Sequence, residues 1–198
     1  MNRTMPARRK ILLSMYLTLD GFNEFPSYPG SEPPASEPER VAEAMWVERW
    51  GDFDTLLFDR ETYDQWAEFW PQSKRTTGEH PWFRQMSEFA DRAQKVVLSD
   101  SPVPTPWARS RSLEGDVAAA VARLRGEPGK AMVVVAPALG RELMRRGLID
   151  EYLFAIAPVI LGKGHAFFGE MEAQQTLRLV EVRRFEAGEL FLHYETVR

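Results

Sequence analysis

Residues 132–168, MVVVAPALGRELMRRGLIDEYLFAIAPVILGKGHAFF, run from strand to helix to strand and end in a tight turn. Residues 132–136 are continuously apolar, as a strand covered on both faces is. Leu139 and Leu143 then recur at helical spacing, Arg145 and Arg146 fall at the negative end of the helix dipole, and Gly147 supplies a left-handed stop. A second apolar run begins at Tyr152. Two buried strands joined through a helix predict a parallel pair, because a parallel connection needs a crossover. The turn between the first strand and the helix is unusual. Val135, Ala136 and Pro137 stand where a strand exit that approaches a ligand carries glycine.

Outward from this unit the alternation continues. KILLSMYLTL (10–19), DTLLFD (54–59) and KVVLS (95–99) predict buried strands; RETYDQWAEFW (60–70), PWFRQMSEFADR (81–92) and GDVAAAVARLRGEPG (115–129) predict helices. Pro71 stops the first of these helices, and Gly126 with Pro128 stops the third. FNEFPSYPGSEPPASEPE (22–39) carries five prolines and reads as a lid or an unstructured loop. Val41, Ala44, Met45 and Val47 predict a helix from about Pro38 to Trp50. DEYLFAIAPVIL, TLRLVEVRRF and ELFLHYETV are close enough in sequence to include antiparallel pairs at one edge. The expectation is one α/β domain over residues 1–198, with a mixed, mostly parallel central sheet flanked by helices.

Composition narrows the chemistry. A chain of 198 residues that is 44% hydrophobic can bury a sizeable core. Its 25 basic and 29 acidic residues give a net charge of −4 with no basic stripe, which disfavours nucleic acid as a partner. Without cysteine there is no disulfide, thiolate zinc site or thiol nucleophile, and the cytoplasm is the expected compartment. Asp20 and Gly21 follow the basic and apolar N-terminal stretch where a cleavage site should stand, so a buried first strand is expected rather than a signal peptide. No apolar run reaches the roughly 20 residues of a membrane span. His80, His165 and His193 lack metal-ligand spacing, and neither a nucleophile elbow nor a P-loop occurs.

Five strings in order carry a resemblance: SMYLTLDGF, LLFDRETYD, KVVLS, the long run from LMRRGLIDE through PVILGKGHAFF, and GELFLHYE. Together they resemble the RibD C-terminal form of the dihydrofolate reductase-like fold, a three-layer sandwich. The resemblance implies an NADPH-dependent reductase of a small planar heterocycle, of pterin or aminopyrimidine type, working as a homodimer. It implies Asp20 beside the nicotinamide pocket, and Glu43 or Glu48 on the helix from which members of the fold present a substrate-binding carboxylate. On the cofactor side it implies Asp59, Arg60, Thr62, Ser99, the strand exit at Val135, Ala136, Pro137, Ala138 and Leu139, and the turn at Gly162.

The chain departs from that family where a cofactor's phosphates would lie. Val135 and Ala136 replace a glycine pair; side chains there are expected to obstruct the diphosphate, and Pro137 removes a donor. A cis Ala136–Pro137 bond would cost only ~0.5–1 kcal/mol, yet it would not restore the missing N–H. Asp59 replaces a glycine. At roughly 5 Å its carboxylate would oppose a phosphate by about 3 kcal/mol at an effective dielectric near 20, or it simply caps the helix that begins at Arg60. Arg60 can pair with Asp64, Ser99 and Asp100 suit a turn, and residues 162–164 suit a tight bend. Three readings stay open: a reductase with a degenerate phosphate loop, a reductase using flavin or deazaflavin, and a cofactor-less small-molecule-binding or dimeric interaction protein. Phe22, Phe25, Tyr28, Trp46, Trp50, Trp66 and Trp70 are candidates both for stacking on a flat ring and for the core.

Overall fold

The computed structural model describes residues 8–25, 46–171 and 173–198. In chain order the strands are β1 (Ile11–Thr18), β2 (Phe53–Phe58), β3 (Gln94–Ser99), β4 (Ser110–Glu114), β5 (Ala131–Val134), β6 (Glu151–Ala157), β7 (Leu177–Arg184) and β8 (Leu190–Thr196). The helices are α1 (Arg60–Phe69), α2 (Pro81–Arg92), α3 (Val117–Gly126) and α4 (Pro137–Arg145), with a 3-10 turn at Gln72–Lys74. The strands form one eight-stranded sheet in the order β4-β3-β2-β5-β1-β6-β8-β7. Pairs among β1 to β6 are parallel, and β8 pairs antiparallel with both β6 and β7. The mixed, mostly parallel architecture is the expected one. Every exit of β1 to β6 therefore lies at one edge of the sheet, and the start of β8 lies there too.

Alternation along each strand divides the core in two. Ile11, Leu13, Met15, Leu17, Val134 and Ala136 face α3 and α4, packing with Val121, Leu124, Leu139 and Leu143. Leu12, Leu56, Phe58, Val133, Val135 and Leu153 face the other way, toward Tyr63 of α1 and Met86 and Phe89 of α2. The tryptophans belong largely to this second layer. Trp46 meets Phe53 edge-on at 5.7 Å, Trp50 stacks on Phe89 at 5.5 Å, and Trp66 meets Phe58 at 5.3 Å. Of the helix expected up to Trp50, residues 46–50 are described, helical at Trp46 and Val47 before a turn; Glu43 and Tyr28 lie outside the described residues.

One strand differs from the sequence expectation. Ser110–Glu114 pairs with β3 although it reads as polar; it is an edge strand with only Leu113 buried, so no apolar pattern marks it. Among the described residues no helix is long and apolar enough to cross a membrane.

Candidate functional site

At the β5 exit the backbone passes straight into α4 with Ala136 as N-cap and Pro137 at the first position. Among the described residues no peptide bond is cis, so the Ala136–Pro137 bond is trans. The expected obstruction takes a different form. Val135 is 8% exposed within the α1/α2-side core and Ala136 is fully buried on the other side. Both side chains point into the two packed layers, because successive strand residues alternate and each layer takes one of them. The turn is poor in donors: Pro137 has no N–H, Gly140 N–H is bonded to Ala136 O, and among the described residues the first-turn amides of Ala138 and Leu139 have no side-chain cap.

Beside it, β2 leaves through Asp59, whose Oδ1 accepts Thr62 N–H at 2.8 Å and caps α1. Arg60 turns along the same helix, its Nε donating to Asp64 at 2.6 Å. At the β3 exit Ser99 Oγ donates to Ser101 O at 2.6 Å and lies 3.4 Å from Ser112 Oγ.

The β1 exit is clamped to the turn after β6. Asp20 accepts Gly162 N–H at 2.8 Å, Leu161 N–H at 3.1 Å and the Thr18 hydroxyl at 2.7 Å. The Thr18 hydroxyl, followed by the Gly162 amide, holds the Asp20 carboxyl down to about 2, so it stays ionised at neutral pH. The clamp extends through Glu24, which meets His165 Nδ1 at 2.6 Å, and through a bridge from Phe22 to Ala166. Glu24 is also held below its usual range by His165. Gly164, at φ 145°, allows the close approach: a Cβ there would come within 3.2 Å of Glu24. Glu48 is engaged on β7, where Arg183 grips it through both nitrogens at 2.8 and 2.6 Å and lowers its pKa.

Sequence reasoning passed over two groups at the same edge. The alternation L-S-M-Y-L-T in β1 puts Ser14, Tyr16 and Thr18 on the α1/α2 side of the sheet. Tyr16 donates from its hydroxyl to Glu189 Oε1 at 3.2 Å, and its ring stacks on Phe25 at 4.8 Å. The alternation was readable; the partner, 173 residues away, was not.

A dinucleotide diphosphate at strand exits needs unengaged N–H donors and positive charge. The amides of Thr62, Leu161 and Gly162, the Ser99 hydroxyl and Arg60 Nε all donate within the protein, and carboxylates of Asp20 and Asp59 stand at the same edge. The residues present do not fit a diphosphate held in the family's manner.

The sequence profile described as the RibD C-terminal domain matches residues 9–191. The chain is 24% identical over 188 residues to the uncharacterized protein YyaP of Bacillus subtilis (strain 168), covering 94% of this chain and 95% of that protein. A crystal structure from Shewanella sp. PV-4 superposes with a TM-score of 0.73 at 17% identity, over 96% of this chain and 99% of that one. A pyrimidine reductase-like protein from Corynebacterium diphtheriae gives 0.60 at 13% identity, over 96% and 92%.

Proposed function

The chain belongs to the RibD C-terminal domain family, and from that premise we propose that it is a cytoplasmic, homodimeric reductase of a small planar heterocycle whose reductant is not gripped by a diphosphate cradle at the β5–α4 turn. Reductase-like character comes with the family, and a heterocycle of pterin or aminopyrimidine type is the substrate class in keeping with the pyrimidine reductase-like neighbour. The observation that carries the reading is the donor accounting at the strand exits. The scaffold is whole, while the Thr62 and Gly162 amides, the Ser99 hydroxyl and Arg60 Nε are bonded to the protein itself, which leaves the first-turn amides of Ala138 and Leu139 as the donors at the strand exits. A reductant that does not depend on those groups, such as a flavin or deazaflavin, fits this arrangement better than NADPH. The same accounting favours a second reading, a family member that binds a small molecule without redox chemistry.

Thermal unfolding in the presence of NADPH, NADH, FMN or a deazaflavin separates them. A ligand at 100 times its dissociation constant adds ~2.7 kcal/mol, which in a chain of this size raises Tm by roughly 5–10 °C. The reductase reading predicts such a shift with a flavin or deazaflavin and little with either nicotinamide dinucleotide. No shift with any of the four supports the binding-protein reading. Sedimentation of the same samples reads the assembly state.

A further inference from the structure

We propose that the cavity at the junction of α1 and α2 is a second ligand site, built for a small hydroxy acid that presents one carboxylate and a neighbouring hydroxyl. It is independent of the reductase reading above. The site rests on a buried arginine with an unanswered donor, on two opposite charges that share a cavity without pairing, and on the net charge of its walls.

Arg75 is the anchor. The chain leaves α1 at Phe69, passes the 3-10 turn at Gln72–Lys74 and enters α2 at Pro81, so Arg75 sits where the two helices are joined. The ten residues of α1 span about 15 Å, which separates this junction from the Asp59 cap at the strand-exit edge by that distance. The Arg75 guanidinium lies 4.6 Å from the centre of the Phe69 ring, 5.8 Å from Trp70 and 5.9 Å from Phe83, and its side chain is 8% exposed. Nη2 donates to Phe69 O and Nη1 faces Glu79 Oε2 at 3.6 Å, while the buried Nε–H has no acceptor among the described residues. Trp82 Nε1, in the same aromatic cluster, is also buried without one. Both groups can only donate. A buried donor without an acceptor is costly, and a ligand oxygen removes that cost.

Arg75 lines a cavity of about 380 Å³ with Gln72, Thr76, Thr77, Arg84 and Glu88, room enough for a small molecule. Arg84 and Glu88 are one turn apart on α2, a spacing at which opposite charges pair. The same spacing does join Arg60 to Asp64 and Arg146 to Glu142. Among the described residues Arg84 and Glu88 form no ion pair, with each other or elsewhere; both line the cavity. The Thr77 hydroxyl and the Gln72 side-chain amide are likewise uncommitted there, whereas the Thr76 hydroxyl donates to Glu79 at 3.1 Å.

Charge then selects the ligand. Two cations against one carboxylate leave the walls with a single positive charge, and Glu79, which lines the neighbouring cavity, partly offsets Arg75 from its other side. Such a site suits one negative charge and not two. The planar fork of arginine matches a carboxylate, and Thr77 can complete the set of donors around it. Glu88 accepts a hydroxyl from the ligand and opposes a second negative charge, so a phosphate dianion is disfavoured.

Calorimetric titration of the full chain with glycerate, glycerol and glycerol 3-phosphate tests the assignment, because the three share a carbon skeleton and differ in charge. Glycerate is expected to bind at least about tenfold more tightly than glycerol, the equivalent of one charge-assisted hydrogen bond. It should also bind more tightly than glycerol 3-phosphate, which is largely dianionic at neutral pH. Arg84→Gln alters an exposed side chain with no ion pair to lose, so it should keep the fold and lower glycerate affinity about tenfold. Glu88→Gln should relax the discrimination against the phosphate. In isotope-labelled protein the Arg75 Nε–H resonance should move saturably with glycerate. Equal affinity for glycerate and glycerol, no binding of any of the three, tighter binding of glycerol 3-phosphate, undiminished affinity in Arg84→Gln, or an Arg75 Nε–H resonance indifferent to glycerate would overturn the proposal.

Discussion

Replacing Val135 and Ala136 together by glycine is expected to destabilise the protein by about 3–5 kcal/mol and to leave dinucleotide binding no stronger. From the sequence, those two side chains look like plugs in a phosphate cradle. In the structure they are core residues, Val135 in one packed layer and Ala136 in the other. Removing the buried methyl groups loses about 0.8 kcal/mol for each in transfer, with a cavity term on top for Val135. Two further glycines in the chain add roughly 0.5–1 kcal/mol each in backbone entropy. No donor is gained, because Pro137 remains and Thr62 still gives its amide to Asp59. Denaturant titration reads the first part and an NADPH titration the second. A folded double variant that binds NADPH more tightly than the wild type would show that those side chains do guard a diphosphate site.

Lys95→Met is expected to cost about 2–4 kcal/mol, or roughly 5–15 °C in Tm, although it trades a charge for an isosteric apolar side chain. Lys95 is fully buried, and its ammonium ends α2 by donating to the carbonyls of Ala90 at 2.5 Å and Ala93 at 2.9 Å. It lies 4.5 Å from the centre of the Trp107 ring, whose indole N–H donates to Asp91 at 2.6 Å. Methionine leaves those carbonyls buried without a donor, which is the costly half of deleting a hydrogen bond. Burial pulls the Lys95 ammonium down from 10.5 to about 8, with Asp91 opposing the shift. The unfolded chain therefore binds more protons than the folded one between about pH 8 and 10.5, so this group's contribution to stability rises with pH across that window and is least favourable below it. Stability measured from pH 7 to 10.5 should show that rise in the wild type relative to Lys95→Met. Parallel curves for the two proteins, or a variant as stable as the wild type, would mean that Lys95 is not the cap of α2.

The β5-α4-β6 unit was legible because each of its signals is local. Helical spacing at Leu139 and Leu143, a basic residue in the last turn, and Gly147 at φ 63° all appear where the sequence puts them. The capping of α1 by Asp59 was legible for the same reason, since an aspartate three residues before a helical amide needs no distant partner. Direction was harder. Nothing in VVVAP says which way Val135 and Ala136 point until β5 is in register between β1 and β2, Val134 opposite Leu13 and Leu57. The Asp20 clamp joins residues 141 and 142 apart, and only the folded sheet brings the two loops together. β4 was missed because an edge strand with one buried side chain carries almost no hydrophobic signal. Glu189 stayed hidden behind an ordinary turn sequence, although its neighbour across the sheet, Tyr16, already broke the apolar pattern of β1.

Amide chemical shifts of isotope-labelled protein titrated with NADPH read the phosphate-facing groups one at a time. The amides of Thr62, Leu161 and Gly162 are expected to stay in place at millimolar NADPH, because each is already bonded to Asp59 or Asp20. Saturable shifts at those three amides, together with Ala138 and Leu139, would contradict this and put a dinucleotide back in the cradle.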